Sequence, residues 1–132
     1  MTAERRPDRS RTTRDRECAE RALDRGERLV TLGEAVFRSG RRARRGLVVL
    51  TDQRVICIDR GAQHGQPLEL PLSGITSVES GEGRMLGDAK RGHLTIESGA
   101  LKTHVTRIRP WERAATIASY VRSRREARGA VR

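Results

Sequence analysis

Asparagine is absent from this chain, lysine occurs only at Lys90 and Lys102, and the aromatic side chains are Phe37, Trp111 and Tyr120 alone. So few aromatics leave no stacking platform for single-stranded nucleic acid. The longest unbroken apolar runs, LVVL and VICI, are four residues each, too short to span a bilayer. A basic N-terminus with no apolar segment after it predicts no secretory signal, and hence a soluble, cytoplasmic protein. Cys18 lies in a polar helical stretch and Cys57 inside VICI. That contrast predicts a buried, reduced thiol at Cys57 rather than a disulfide framework.

What is abundant is arginine, 26 of 132 residues, with a formal net charge of +11. Arginine without lysine or asparagine is partly a bias of composition, so its placement is more informative than its total. The balance is +2 over residues 1–28, +4 over 29–60, −1 over 61–106 and +6 over 107–132. The segment RSGRRARRG, residues 38–46, carries five arginines in nine positions.

Residues 1–14 show no apolar periodicity and predict a disordered basic arm. Cys18, Ala19, Ala22 and Leu23 recur at helical spacing, which predicts a short helix over 15–25, supported by a Glu17–Arg21 pair and ended near Gly26. The period then changes. RLVTLGEAVFR reads as a strand, and GLVVLTDQRVICIDR reads as two β-branched strands around a tight turn at Thr51–Arg54. QPLELPL alternates Leu68, Leu70 and Leu72 against Glu69, while ITSVES, HLTIES and KTHVTRI supply further short strands. GAQHG (61–65) and GEGRMLGDAKRG (81–92) read as loops. Pro110 suits a first helical turn, and Trp111, Ala114, Ile117, Ala118 and Val121 share one helical face. The pattern predicts a mainly β domain over 26–125, a seven-stranded antiparallel barrel or sandwich capped by a C-terminal helix, with a flexible basic tail over 126–132.

Three segments resemble small bacterial pleckstrin-homology (PH)-like domains of the YokE-like type. They are DRGERLVTL, GLVVLTDQRVICI with Thr51, Asp52 and Arg54 matching, and LELPLSGITSVESG with Pro71, Ile75, Ser77 and Val78 matching. The resemblance covers roughly residues 24 to 125 and implies the PH superfold, whose members bind phosphoinositides, phosphopeptides or proteins. Lipid-binding relatives hold phosphates with a basic pattern between the first two strands, and Arg38, Arg42 and Arg44 occupy that location here.

The expected role is therefore non-catalytic binding or scaffolding, with Arg38, Arg41, Arg42, Arg44 and Arg45 as the candidate anion site. The partner expected is an anionic lipid headgroup at a membrane periphery or an acidic protein. At about 1 kcal/mol per basic residue near an anionic surface, five arginines supply on the order of 5 kcal/mol, a dissociation constant of roughly 0.2 mM. A strand edge or the groove beside the C-terminal helix offers a second mode, binding a protein or another copy of the chain. Nucleic acid is a third class, by non-specific phosphate contacts alone.

Catalytic patterns are missing. His64, His93 and His104 have no Cys or carboxylate at zinc-ligand spacing, although His93 and His104 can face each other across a hairpin. GEGRMLG has neither the Lys-Ser/Thr of a phosphate loop nor a helix after it, and no serine lies in a nucleophile elbow. No enzyme, cofactor or metal is expected.

Overall fold

The computed structural model describes residues 6–38, 42–60, 66–84 and 89–131. Arg41, His64 and the predicted loop 61–65 lie outside these residues. Two helices, α1 (Arg6–Arg21) and α2 (Glu112–Val131), flank seven strands: β1 (Leu29–Arg38), β2 (Ala43–Thr51), β3 (Arg54–Asp59), β4 (Leu68–Pro71), β5 (Ile75–Arg84), β6 (Lys90–Ser98) and β7 (Leu101–Arg109). The strands form one antiparallel sheet in the order β4-β3-β2-β1-β7-β6-β5. Its two end strands, β4 and β5, are joined by a 3-10 turn over Leu72–Gly74.

The two apolar runs owe their continuity to coverage on both sides. Val48, Leu50, Val55 and Cys57 point into the main core, while Leu47, Val49 and Ile56 point outward against Ala19, Cys18, Ala22 and Leu23 around α1. A strand buried on both faces gives up the polar alternation of a half-exposed one. Elsewhere the alternation survives for most of each strand: Leu94 and Ile96 face the core from β6, and Thr103 and Val105 from β7, before a bulge sets Ile108 three residues on. In β1 the inward residues are Ala35 and Phe37, while Val36 lies outward and half-buried.

Ala114, Ile117, Ala118 and Val121 of α2 are at most 1% exposed and close the core. Trp111 does not join them; it precedes α2, half-buried, with the Lys90 ammonium 4.0 Å from its ring centre. Gly92 explains how α2 starts so close to the sheet. A Cβ there would lie 2.5 Å from the Trp111 carbonyl oxygen and 2.8 Å from the Ala114 methyl.

Several boundaries differ from the sequence expectation. α1 spans Arg6–Arg21 rather than 15–25, so it takes in much of the segment expected to be a disordered arm, and its i,i+4 pair is Arg16–Glu20 at 3.7 Å. Packing of Ala19 and its neighbours on the sheet fixes this helix, a tertiary effect that a window of polar residues does not reveal. β5 extends through Gly81 and Gly83 to Arg84, pairing with Lys90–Gly92, so most of the expected 81–92 loop is hairpin. α2 continues to Val131 through the predicted tail, as its Ala, Arg and Glu content favours. His104 pairs across the sheet with Thr95 and Arg38 rather than with His93.

Candidate functional site

The turn at Thr51–Arg54 anchors a buried ionic cluster. Arg54 donates from Nε to Glu27 Oε2 and from Nη2 to Glu27 Oε1, both at 2.8 Å, a bidentate pair. It also donates to the Ala22 carbonyl at 2.8 Å and to Glu69, and lies 3.6 Å from Asp24. Thr51 donates its hydroxyl to Glu27 and accepts from the amides of Gln53 and Arg54 at 3.1 and 3.0 Å. Asp52 accepts from the Arg28 amide at 3.0 Å. The Arg54 guanidinium holds the Glu27 carboxyl down to about 2, against burial, which acts the other way. Arg54 is correspondingly raised. Thr51, Asp52 and Arg54, which carry the PH-like resemblance, therefore tie the β2–β3 turn to the segment before β1. Their work is structural, and every charge in the cluster is already answered.

The four described arginines of residues 38–46, Arg38, Arg42, Arg44 and Arg45, do not share a face. Arg44 pairs with Phe37 across β1 and β2 and lies over its ring at 4.9 Å, with Asp59 at 4.0 Å and the Gln66 carbonyl at 3.5 Å. It is half-buried on the inward side. Burial drives the Cys57 thiol up to about 12, with Arg44 opposing, so this thiol is protonated and unreactive at neutral pH. Arg38 and Arg42 are exposed at the end of the β1–β2 hairpin. Arg45 points to the opposite, outer face.

On that outer face Arg45 meets arginines that are remote in sequence. A groove of about 720 Å³ is lined by Arg45, Arg60, Arg91, Arg107 and Arg109, with Glu34 among them. Gly46 brings β2 and β3 together here: an added Cβ would lie 1.7 Å from the Ile58 carbonyl oxygen. Beside it the Arg60 amide donates to the Arg45 carbonyl at 3.0 Å. Glu34 accepts from Arg109 at 3.1 Å and lies 3.9 Å from Arg60, which also pairs with Asp15 of α1 at 2.7 Å. Arg45, Arg91 and Arg107 have no carboxylate within 4.0 Å among the described residues.

Arg107 reaches the groove through a bulge. Two steps of β1, Glu34 to Val36, face three of β7, and two steps of β6, Gly92 to Leu94, also face three. The extra residue leaves Arg107 at φ 53, a left-handed conformation that costs a side-chain-bearing residue roughly 1 kcal/mol. Such bulges redirect a side chain. Among the described residues no three His, Cys, Asp or Glu side chains gather as metal ligands, and no helix is long and apolar enough to cross a membrane.

No protein-family model matches the chain and no curated protein matches it in sequence. Solved structures do. The Vps36 N-terminal PH domain aligns with a TM-score of 0.59 at 17% identity, over 76% of this chain and 83% of that one. A pleckstrin homology domain from Shewanella amazonensis SB2B aligns at 0.51 and 18% identity, over 80% and 93%. The C-terminal domain of an unknown protein from Leishmania infantum aligns at 0.55 and 11%, over 69% and 80%. With its seven antiparallel strands and closing C-terminal helix, this chain has the PH-like fold.

Proposed function

We propose that the protein is a non-catalytic binding module that takes an anionic ligand on its arginine face. That face consists of Arg45 with Arg60, Arg91, Arg107 and Arg109, while Arg38 and Arg42 are exposed at the end of the β1–β2 hairpin. One observation carries the reading: three guanidiniums with no carboxylate partner among the described residues open onto a single groove. Cations of one sign gathered in a concavity focus their field on an incoming anion, and guanidinium forks pair with carboxylate or phosphate oxygens. The PH-like fold supports a binding role, and the matching segments around Thr51–Arg54 and Pro71–Val78 support kinship with the YokE-like type. Arg44, engaged with Phe37 and Asp59, contributes to the hairpin rather than to the ligand.

The test is titration of a generic polyanion, dextran sulfate, at about 150 mM salt, where the Debye length is about 8 Å. The triple variant Arg45→Glu, Arg91→Glu, Arg107→Glu is expected to lose at least tenfold in affinity with its thermal midpoint nearly unchanged. Equal binding by both proteins refutes the site.

A further inference from the structure

Resting on the reading of the arginine face as an anion site, we infer that its ligand is an extended acidic segment of another polypeptide, running across the strands. The acidic groups would stand at alternate ends of an apolar residue, in the pattern acidic-x-apolar-x-acidic.

The geometry gives the spacing. Arg60 directly follows β3, while Arg45, Arg109 with Arg107, and Arg91 belong to β2, β7 and β6; these strands lie in the order β3-β2-β1-β7-β6. With neighbouring strands about 4.8 Å apart, the arginines extend over roughly 19 Å. One phosphate or one headgroup cannot reach both sides. Glu34 already occupies the middle, bridging Arg109 and Arg60. Among the described residues, the guanidiniums left without carboxylates are Arg45 on one side and Arg91 and Arg107 on the other. From β2 to β7 or β6 is two or three strand spacings, roughly 10 to 14 Å.

Val36 supplies the middle of the pattern. It pairs with Arg45 on β2 and with Thr106 on β7, so one row crosses the sheet as Arg45, Val36, Thr106, with Arg107 next. Val36 is half-buried on the outer face and lines the groove floor with Ala35 and Gly46. In an extended chain, residues i, i+2 and i+4 share a face, and i to i+4 covers about 13 Å. An acid at i then meets Arg45, an apolar side chain at i+2 covers Val36, and an acid at i+4 meets Arg107 and Arg91. The carboxylate that the groove accommodates from its own chain, Glu34, shows the same pairing chemistry. No aromatic side chain lines the groove to stack a base.

The experiment uses fluorescence anisotropy with the labelled peptide EEGLGEE, whose second, fourth and sixth residues fit this spacing, and its isomer EEEEGLG, which has the same charge. Phosphatidylglycerol vesicles and an oligodeoxythymidylate serve as rival anions. The expected result is that EEGLGEE binds at least tenfold more tightly than EEEEGLG. Arg45→Glu and the double variant Arg91→Glu, Arg107→Glu should each lose at least tenfold, with unchanged circular dichroism. Equal affinity for the two peptides overturns the inference. Groove-dependent capture of vesicles or oligonucleotide without EEGLGEE overturns it too, but leaves the anion-binding function standing. Failure of every probe, dextran sulfate included, removes both.

Discussion

Around Arg54, a residue only 9% exposed, three carboxylates, Glu27, Glu69 and Asp24, and the Ala22 carbonyl surround one guanidinium. In the outer groove, among the described residues, five guanidiniums share Glu34 and, at the α1 end, Asp15. The residue type is the same and the ratio of charges is inverted. A buried cation survives only when its partners are supplied by the fold itself, so Arg54 has nothing left to offer a ligand. The groove arginines remain hydrated, cost the fold little, and keep their pairing capacity. In a chain with so much arginine, the number of carboxylates within reach separates the structural arginines from the available ones.

The largest effect should come from the clamp. Arg54→Ala leaves Glu27 buried without its cation and should cost about 3–5 kcal/mol, read as a shift of the urea midpoint. Arg45→Ala and Arg91→Ala should stay within about 0.5 kcal/mol, and a groove variant that unfolds the protein would erase the distinction.

Acid should separate the two regions next. Glu27 is depressed from the ordinary 4.5 to about 2 in the folded state. Its stabilisation is therefore complete above pH 4.5 and is lost as the pH falls from 4.5 towards 2. At 1.36 kcal/mol per unit this amounts to about 3 kcal/mol. Urea midpoints measured through that range should fall for the native sequence. They should stay flatter for Glu27→Gln, which begins from a lower stability.

The smallest effect is the sharpest test of the groove. Arg107→Gly accepts φ 53 without a Cβ and should raise stability by up to about 1 kcal/mol, while weakening the groove ligand. Opposite signs in the urea midpoint and in affinity would mark Arg107 as held in place for binding. Losses in both would make it an ordinary part of the bulge.

The strands were legible because β-branched runs and the Thr51–Arg54 turn set them, and the amphipathic face from Ala114 to Val121 set α2. The clamp was visible as a motif but not as chemistry, since Glu27 and Arg54 meet only once the chain folds back. Half of the groove was also readable. Counting outward from the Thr51–Arg54 turn puts Arg45 opposite Arg60, as the Gly46–Asp59 pairing places them. The other half was hidden by the β7 bulge, which breaks simple alternation just where Arg107 turns outward. Adjacency in sequence pointed instead to Arg44 and Arg45 together, although consecutive strand residues take opposite faces.

The helix α1 has a consequence for anyone who trims this chain. A version cut back to the strands and α2 would lose the N-terminal residues that cover β2 and β3. Leu47, Val49 and Ile56 would then face water as a continuous greasy sheet surface, inviting self-association. The smallest unit that stays dispersed must keep Cys18, Ala19 and Ala22 in place as its shield.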